Sequence, residues 1–409
     1  MKGFSTLFSV RGQLRSNIFF TLCAALLVVF TARARNVSAA PTERGFQIPV
    51  DQITTQHLDD LINNWHINII RVQIGSDTGM DGVTGAAYES LMNDHFNLLD
   101  TKLPLLQARG LKMIFCLYSP PGGFESRVAP SHYTMFSRSD LQADFVRMWQ
   151  TIATRYGSNE TISAFDLVNE PAARKSLLGA GVKSWGQLAL TTVGAIRSIT
   201  SKPIIIKSLY GDPSKLVNLP AIPYANISYS YNAYFYHSYQ TTGITTPARS
   251  VQRPTDSAIL ARVRGRLAPF FKKTYDRVLT RTLPASAYPP KLVVGEVAVA
   301  ACALEPGAFL TGLLTALETD DSSKGAADRA RVIRGWKRLR RRRPSLPTNP
   351  PLEAADFVQD VAHSSYAVHA YNEAPVWDPR VSCNESGQLY SPPTEAEQAI
   401  VIKSFFSRN

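Results

Sequence analysis

Phe165-Asp166-Leu167-Val168-Asn169-Glu170-Pro171 reads as a short apolar strand that stops at Asn-Glu, followed by a proline that cannot continue the pairing. Lys291-Leu292-Val293-Val294-Gly295-Glu296-Val297 has the same form, an apolar run that delivers a glutamate near its end. Buried parallel strands that carry carboxylates at their C-terminal ends are where a (β/α)8 barrel places its catalysis. One strand-end glutamate is more often a helix cap or an ion-pair partner, but two in barrel register reverse that balance. Such a pair is the minimum for cleaving a glycosidic bond: one group protonates the leaving oxygen and the other meets the developing cation.

Outward from these two runs, strands are expected over 45–50, 67–74, 111–118, 203–207, 227–231 and 366–371. Helical spacing of apolar residues falls over 55–65, 88–109, 139–156, 184–199, 257–280, 352–363 and 395–406. Strands alternating with helices about eight times predict an α/β fold of the (β/α)8 TIM barrel type and not an open sheet. A length of 409 residues suits one barrel with insertions, and 44% hydrophobic content supports a large core.

The first residues are basic (Lys2, Arg11, Arg15), then apolar over 18–30, then small at Val37-Ser38-Ala39. That order predicts a signal peptide over 1–39, a barrel domain over 40–409 and a secreted protein. Arg33 and Arg35, directly after the apolar run, leave an uncleaved anchor as the alternative. With Cys23 in the signal, Cys116, Cys302 and Cys383 remain, enough for one disulfide and one thiol; Cys302 with Cys383 is the expected pair. Sequons at Asn159, Asn226 and Asn384 fit export.

The formal charge of +12 is partly local, since Arg334-Gly335-Trp336-Lys337-Arg338-Leu339-Arg340-Arg341-Arg342-Arg343 holds seven cations. This run lies in an atypical insert expected over 303–351, between the seventh strand and the last helices. It reads either as a solvated insert or as a weak contact for an anionic surface through Arg334 to Arg343. No nucleic-acid-binding module surrounds it, so no nucleic acid is expected. A monomer is expected, with no cofactor and no metal.

Asn169-Glu170-Pro171, Gly295-Glu296 and Asn68-Ile69-Ile70-Arg71, taken together, resemble glycoside hydrolase family 5, the cellulase-like clan of retaining barrel enzymes. Pro121-Gly122-Gly123 and His369-Ala370-Tyr371 are smaller echoes. The resemblance implies Glu170 as acid/base, Glu296 as nucleophile, Asn169 as the partner of the sugar 2-hydroxyl, and Arg71 and Tyr234 as supports of Glu296. It further implies a poly- or oligosaccharide substrate, with Tyr118, Asn232, His237, Tyr366 and Trp377 as substrate-binding residues. Asp166 reads as a hydrogen-bonded carboxylate of the barrel core.

The chain also departs from the family pattern. Cys116-Leu117-Tyr118 stands where Asp-x-His is common, Asn232 where a histidine precedes the strand-six tyrosine, and Tyr366 where a tryptophan platform is usual. Three readings follow. The first is a secreted retaining β-glycosidase acting on a glucan, mannan or related glycoside. The second is a barrel that binds carbohydrate without turnover. The third is a glycolipid-directed glycosidase docked through its basic insert.

Overall fold

The computed structural model describes residues 43–76, 78–123, 134–172, 181–220, 222–233, 291–298, 365–368, 378–383 and 388–407, with Gly307, Leu310, Thr311 and Leu314. Eight strands close a barrel in chain order: β1 (Arg44–Pro49), β2 (Ile69–Ile74), β3 (Lys112–Leu117), β4 (Ile162–Asp166), β5 (Ile204–Lys207), β6 (Ile227–Ala233), β7 (Lys291–Val297) and β8 (Ser365–Val368). Every neighbouring pair is parallel, and β8 returns to β1 with Arg44 beside Tyr366. The expected (β/α)8 barrel is thus the observed fold.

Alternation along the strands sorts the inner side chains into layers, because residues two apart on a strand face the same way. Ile69, Ile114, Ala164, Ile205 and Val293 form one apolar cluster. Two residues further along the same five strands stand Arg71, Cys116, Asp166, Lys207 and Gly295. Apolar filling therefore gives way to charge within a single pleat, toward the C-terminal ends of the strands.

The outer helices are α1 (Thr55–Asn63), α2 (Gly85–Gln107), α3 (Ser139–Tyr156), α4 (Trp185–Arg197) and α5 (Glu397–Phe406). Thr54 caps α1 by accepting from His57 N at 3.1 Å, and Ser184 with Gln187 forms a capping box on α4. On α3, Phe145, Trp149, Ile152 and Tyr156 recur at helical spacing on the buried face. Trp149 packs against Phe165 of β4 at 5.6 Å between ring centroids.

Two indoles from this outer layer also fix strand ends. Trp149 Nε1 donates to Leu167 O at 3.0 Å, and Trp185 Nε1 donates to Lys207 O at 2.8 Å. Each satisfies a buried carbonyl just where the chain leaves the sheet. The position of those ends is thereby tied to the helix layer.

The differences from expectation are local. Strand pairing in β4 ends at Asp166, four residues before Glu170, and β5 is followed by two 3-10 turns, Leu209–Gly211 and Pro213–Asn218. Gly307, Leu310, Thr311 and Leu314 have helical backbone, and Leu310 and Leu314 are buried in the main core. Part of the stretch expected as an insert therefore packs with the barrel, because its apolar residues recur at helical spacing. A Cβ on Gly307 would lie 2.2 Å from Glu397 Cγ, so glycine permits that close approach to α5. The expected signal, the helices over 257–280 and 352–363 and the basic run lie outside the described residues. Among those described, no helix is long and apolar enough to cross a membrane.

Candidate active site

The charged layer is organised by Arg71, 2% exposed on β2. Its Nε and Nη2 donate to Asp166 Oδ2 at 2.9 and 2.7 Å. Nη1 reaches Glu296 Oε1 at 3.1 Å and also donates to Gln47. Nη2 further contacts Asn169 Oδ1 and Cys116 Sγ, each at 3.0 Å. A rigid fork of donors suits this task, since it holds several acceptors in fixed relative positions. Burial removes water from the guanidinium, but the neighbouring Cys116, Asp166 and Glu296 hold its pKa above the ordinary value.

Lys207 is a second buried cation, fully shielded at the end of β5. Its Nζ donates to Asn232 Oδ1 at 2.9 Å, to Asn169 Oδ1 at 3.2 Å and to Glu296 Oε1 at 3.5 Å. Nothing in the sequence reading singled this lysine out. The available signal was its place two residues after Ile205, matching Arg71 after Ile69 and Asp166 after Ala164.

Glu296 is 3% exposed on β7 and receives both cations on Oε1. Its Oε2 accepts from Asn232 Nδ2 at 2.8 Å. The same Nδ2 also donates to Glu170 Oε1. One amide group therefore touches both candidate carboxyl groups. A shift of register makes this meeting: Tyr231 pairs with Val294 but Asn232 pairs with Glu296, leaving Gly295 as the extra residue of a bulge.

Glu170 is half-buried, with φ of 38°, a left-handed conformation that costs a non-glycine residue about 1 kcal/mol or more. Backbone bonds on either side hold the turn, from Asn169 N to Leu117 O at 3.0 Å and from Tyr210 N to Pro171 O at 3.0 Å. Burial, and then the charge of Glu296, push the Glu170 carboxyl up to about 7, although Lys207, Asn232 and Arg71 pull the other way. Such a group holds a proton near neutrality and can also release it. A narrow cleft borders it, lined by Pro120, Gly123, Thr134, Phe136 and Ala172 among others.

Arg71, Asn169, Glu170, Asn232 and Glu296 thus converge as the sequence led one to expect. Tyr118 is half-buried just beyond β3. Tyr366 is a correction: at 2% exposure its ring meets Phe406 of α5 at 6.0 Å, in the core and not at the cleft. Its register beside Arg44, at the start of β1, explains the difference, for it sits near the N-terminal side of the barrel. Tyr234, His237 and Trp377 lie outside the described residues. So does Cys302, the expected partner of Cys383. Cys116 is a free, buried thiol, pushed up in pKa chiefly by that burial. Among the described residues, no group of three or more His, Cys, Asp or Glu side chains is placed to hold a metal ion.

The cellulase model, glycosyl hydrolase family 5, matches residues 33–278, a span that includes Arg71, Glu170, Lys207 and Asn232 and stops short of Glu296. Cellodextrinase A from Ruminococcus flavefaciens is 27% identical over 135 residues, covering 32% of this chain and 38% of that protein. The match therefore spans well under half of that relative. Among solved structures, a glycoside hydrolase 5 lichenase from Caldicellulosiruptor sp. F32, in complex with cellotetraose, aligns with a TM-score of 0.53 at 14% identity, covering 87% of this chain and 84% of that one. Endo-glycoceramidase II from Rhodococcus sp., as a lactosyl-enzyme intermediate, aligns with a TM-score of 0.53 at 12% identity, covering 89% and 78%. At these identities the structural likeness speaks to the fold.

Proposed function

The chain belongs to the cellulase family, glycosyl hydrolase family 5, and is a glycoside hydrolase; on that premise we propose that Glu170 and Glu296 cleave a β-linked glycoside with retention of configuration. The carrying observation is that Asn232 Nδ2 donates to both carboxyl groups at once. Two hydrogen bonds meeting at one nitrogen keep the nearest oxygens within about 6 Å. Retaining pairs lie about 5 to 5.5 Å apart and inverting pairs about 6.5 Å or more, so this bound favours retention.

In this reading Glu170, protonated near neutrality, gives its proton to the leaving oxygen while Glu296 attacks the anomeric carbon. The glycosidic bond breaks and a glycosyl ester forms on Glu296. Glu170, now ionised, takes a proton from water as that water displaces the ester and restores Glu296. Arg71 and Lys207 keep Glu296 charged and aimed at the start of each cycle. Asn169 Oδ1 faces both cations, which turns its amide NH2 away from them and toward a sugar 2-hydroxyl. No metal is required by these steps.

For the substrate, a β-linked glucan or cello-oligosaccharide comes first, by analogy with the cellodextrinase in sequence. The order of the first 39 residues supports export, so the enzyme is read as secreted. The test is turnover by wild type and Glu296→Ala on aryl β-glycosides and on β-1,4-glucan, β-1,3-glucan, β-mannan and glycosylceramide. Hydrolysis lost in the variant, with azide restoring release of an α-glycosyl azide, is the expected result. Wild-type binding of sugar without turnover would instead favour a non-hydrolytic barrel.

A further inference from the structure

Beyond its contact with Glu296, Lys207 reaches two amide side chains of the site, Asn169 and Asn232. A fully buried ammonium costs several kcal/mol unless its donors are matched. Here three donors meet three acceptors, on Asn232, Asn169 and Glu296. Space for it is also reserved: a Cβ on Gly295 would sit 2.6 Å from Lys207 Nζ and 2.8 Å from Ser230 Oγ. A Cβ on Gly211, where φ is +65°, would sit 2.6 Å from Asn232 Nδ2. Two glycines thus leave room for the two members of one contact.

We infer that Lys207 is a positioning residue of the hydrolase, acting through Asn232 to hold one amide between both carboxyl groups while negative charge passes from Glu296 to Glu170. This rests on the assignment of those glutamates as the catalytic pair. Lys207 fixes which way the amide points, because its ammonium requires the Asn232 oxygen and so directs the NH2 at the carboxyl groups. The reversed amide would set a carbonyl against two carboxyl groups and an NH2 against a cation.

The charge count explains why such a device suits a two-step reaction. Before the first step Glu296 is ionised and Glu170 protonated; after it Glu296 is an ester and Glu170 is ionised. The total is unchanged, and only its location moves. An NH2 with one hydrogen on each group serves both states with no rearrangement, which is the meaning of a preorganised site. Histidine at this position, common in the family, has no such arrangement, since a neutral imidazole carries one N–H.

The test is a carbon-13 titration of glutamate carboxyls in the full-length protein, with the Glu170 resonance identified by its loss in Glu170→Gln. The charged groups acting on Glu170 are Glu296, Lys207 and Arg71, and the titratable Asp166 and Cys116 stand beyond them against Arg71. With Lys207→Met, the Glu170 midpoint is expected to rise by about one pH unit from its position near 7. The alkaline limb of kcat/KM should move with it, and kcat should fall about 100-fold. Gly295→Ala keeps the charge but displaces the ammonium, and is expected to give the same direction. A midpoint unmoved in both folded variants overturns the inference, even if activity falls. Failure of both variants to fold would make Lys207 a structural cation and also overturn it. Wild type without turnover would sink the hydrolase reading separately, while the titration still decides whether Lys207 acts on Glu170.

Discussion

Arg71 Nη1 lies 3.1 Å from Glu296 Oε1, with the two side chains 2% and 4% exposed. In water such a contact contributes little, but here neither group has solvent to fall back on. Because Arg71 also holds Asp166, its removal takes the cation from that buried carboxylate and one of two cations from Glu296. Arg71→Met is expected to lose about 3 to 5 kcal/mol of stability together with nearly all turnover, read by chemical denaturation and kinetics. Arg71→Lys should recover only part of either, since a single ammonium cannot reproduce the fork.

The raised carboxyl of Glu170 makes a pH prediction with a definite sign. Its folded pKa, about 7, stands above the ordinary 4.5, so the folded protein binds this proton more tightly than the unfolded chain does. The stabilisation is fully present below about 4.5 and is lost as pH rises through about 7. Glu170→Gln should therefore flatten the fall in stability across that window. In the wild type, kcat/KM should decline above about 7 as the acid is lost; denaturation and kinetics in the same buffers check both halves.

Much of this was legible in the sequence, for identifiable reasons. Apolar runs ending in Glu170 and Glu296 pointed to a barrel, and strands alternating with helices about eight times carried that reading, because buried parallel strands are mostly apolar. Arg71 stood out as a lone charge in such a run. Lys207 did not, because a lysine at a strand terminus usually reaches solvent. Asn232 read as a substrate-binding residue in the place of a histidine. Its bridging role depends on the bulge at Gly295, and a one-residue change of register is invisible to a pattern of alternation. Tyr366 was misplaced for a related reason, as its depth along β8 follows from pairing with Arg44 and Val294.

Restoring the usual histidine gives a sharper check on that bridge. Asn232→His is expected to lower kcat about 10-fold or more, since one N–H cannot serve Glu170 and Glu296 together while the other nitrogen accepts from Lys207. An increase in kcat would show that the asparagine is a handicap and not a bridge.

The indole of Trp185 ties the end of β5 to α4 through Lys207 O. Trp185→Phe retains much of the ring packing but leaves that carbonyl without its donor. A stability loss of about 1 to 3 kcal/mol is expected. The fall in kcat should exceed that of Trp65→Phe, a buried indole beyond α1 whose Nε1 donates to Asp60 and not to a strand end, when both are compared by thermal melts and steady-state kinetics.

The central claim is that Glu296 forms a covalent bond to the sugar. Incubation of the full-length enzyme with an activated 2-deoxy-2-fluoro-β-glycoside of the hydrolysed sugar, followed by intact-mass measurement and peptide mapping, tests this directly. The account expects a stable adduct of one glycosyl unit on the peptide holding Glu296, absent in Glu296→Ala. Turnover of the parent glycoside with an α-configured first product and no adduct would contradict it.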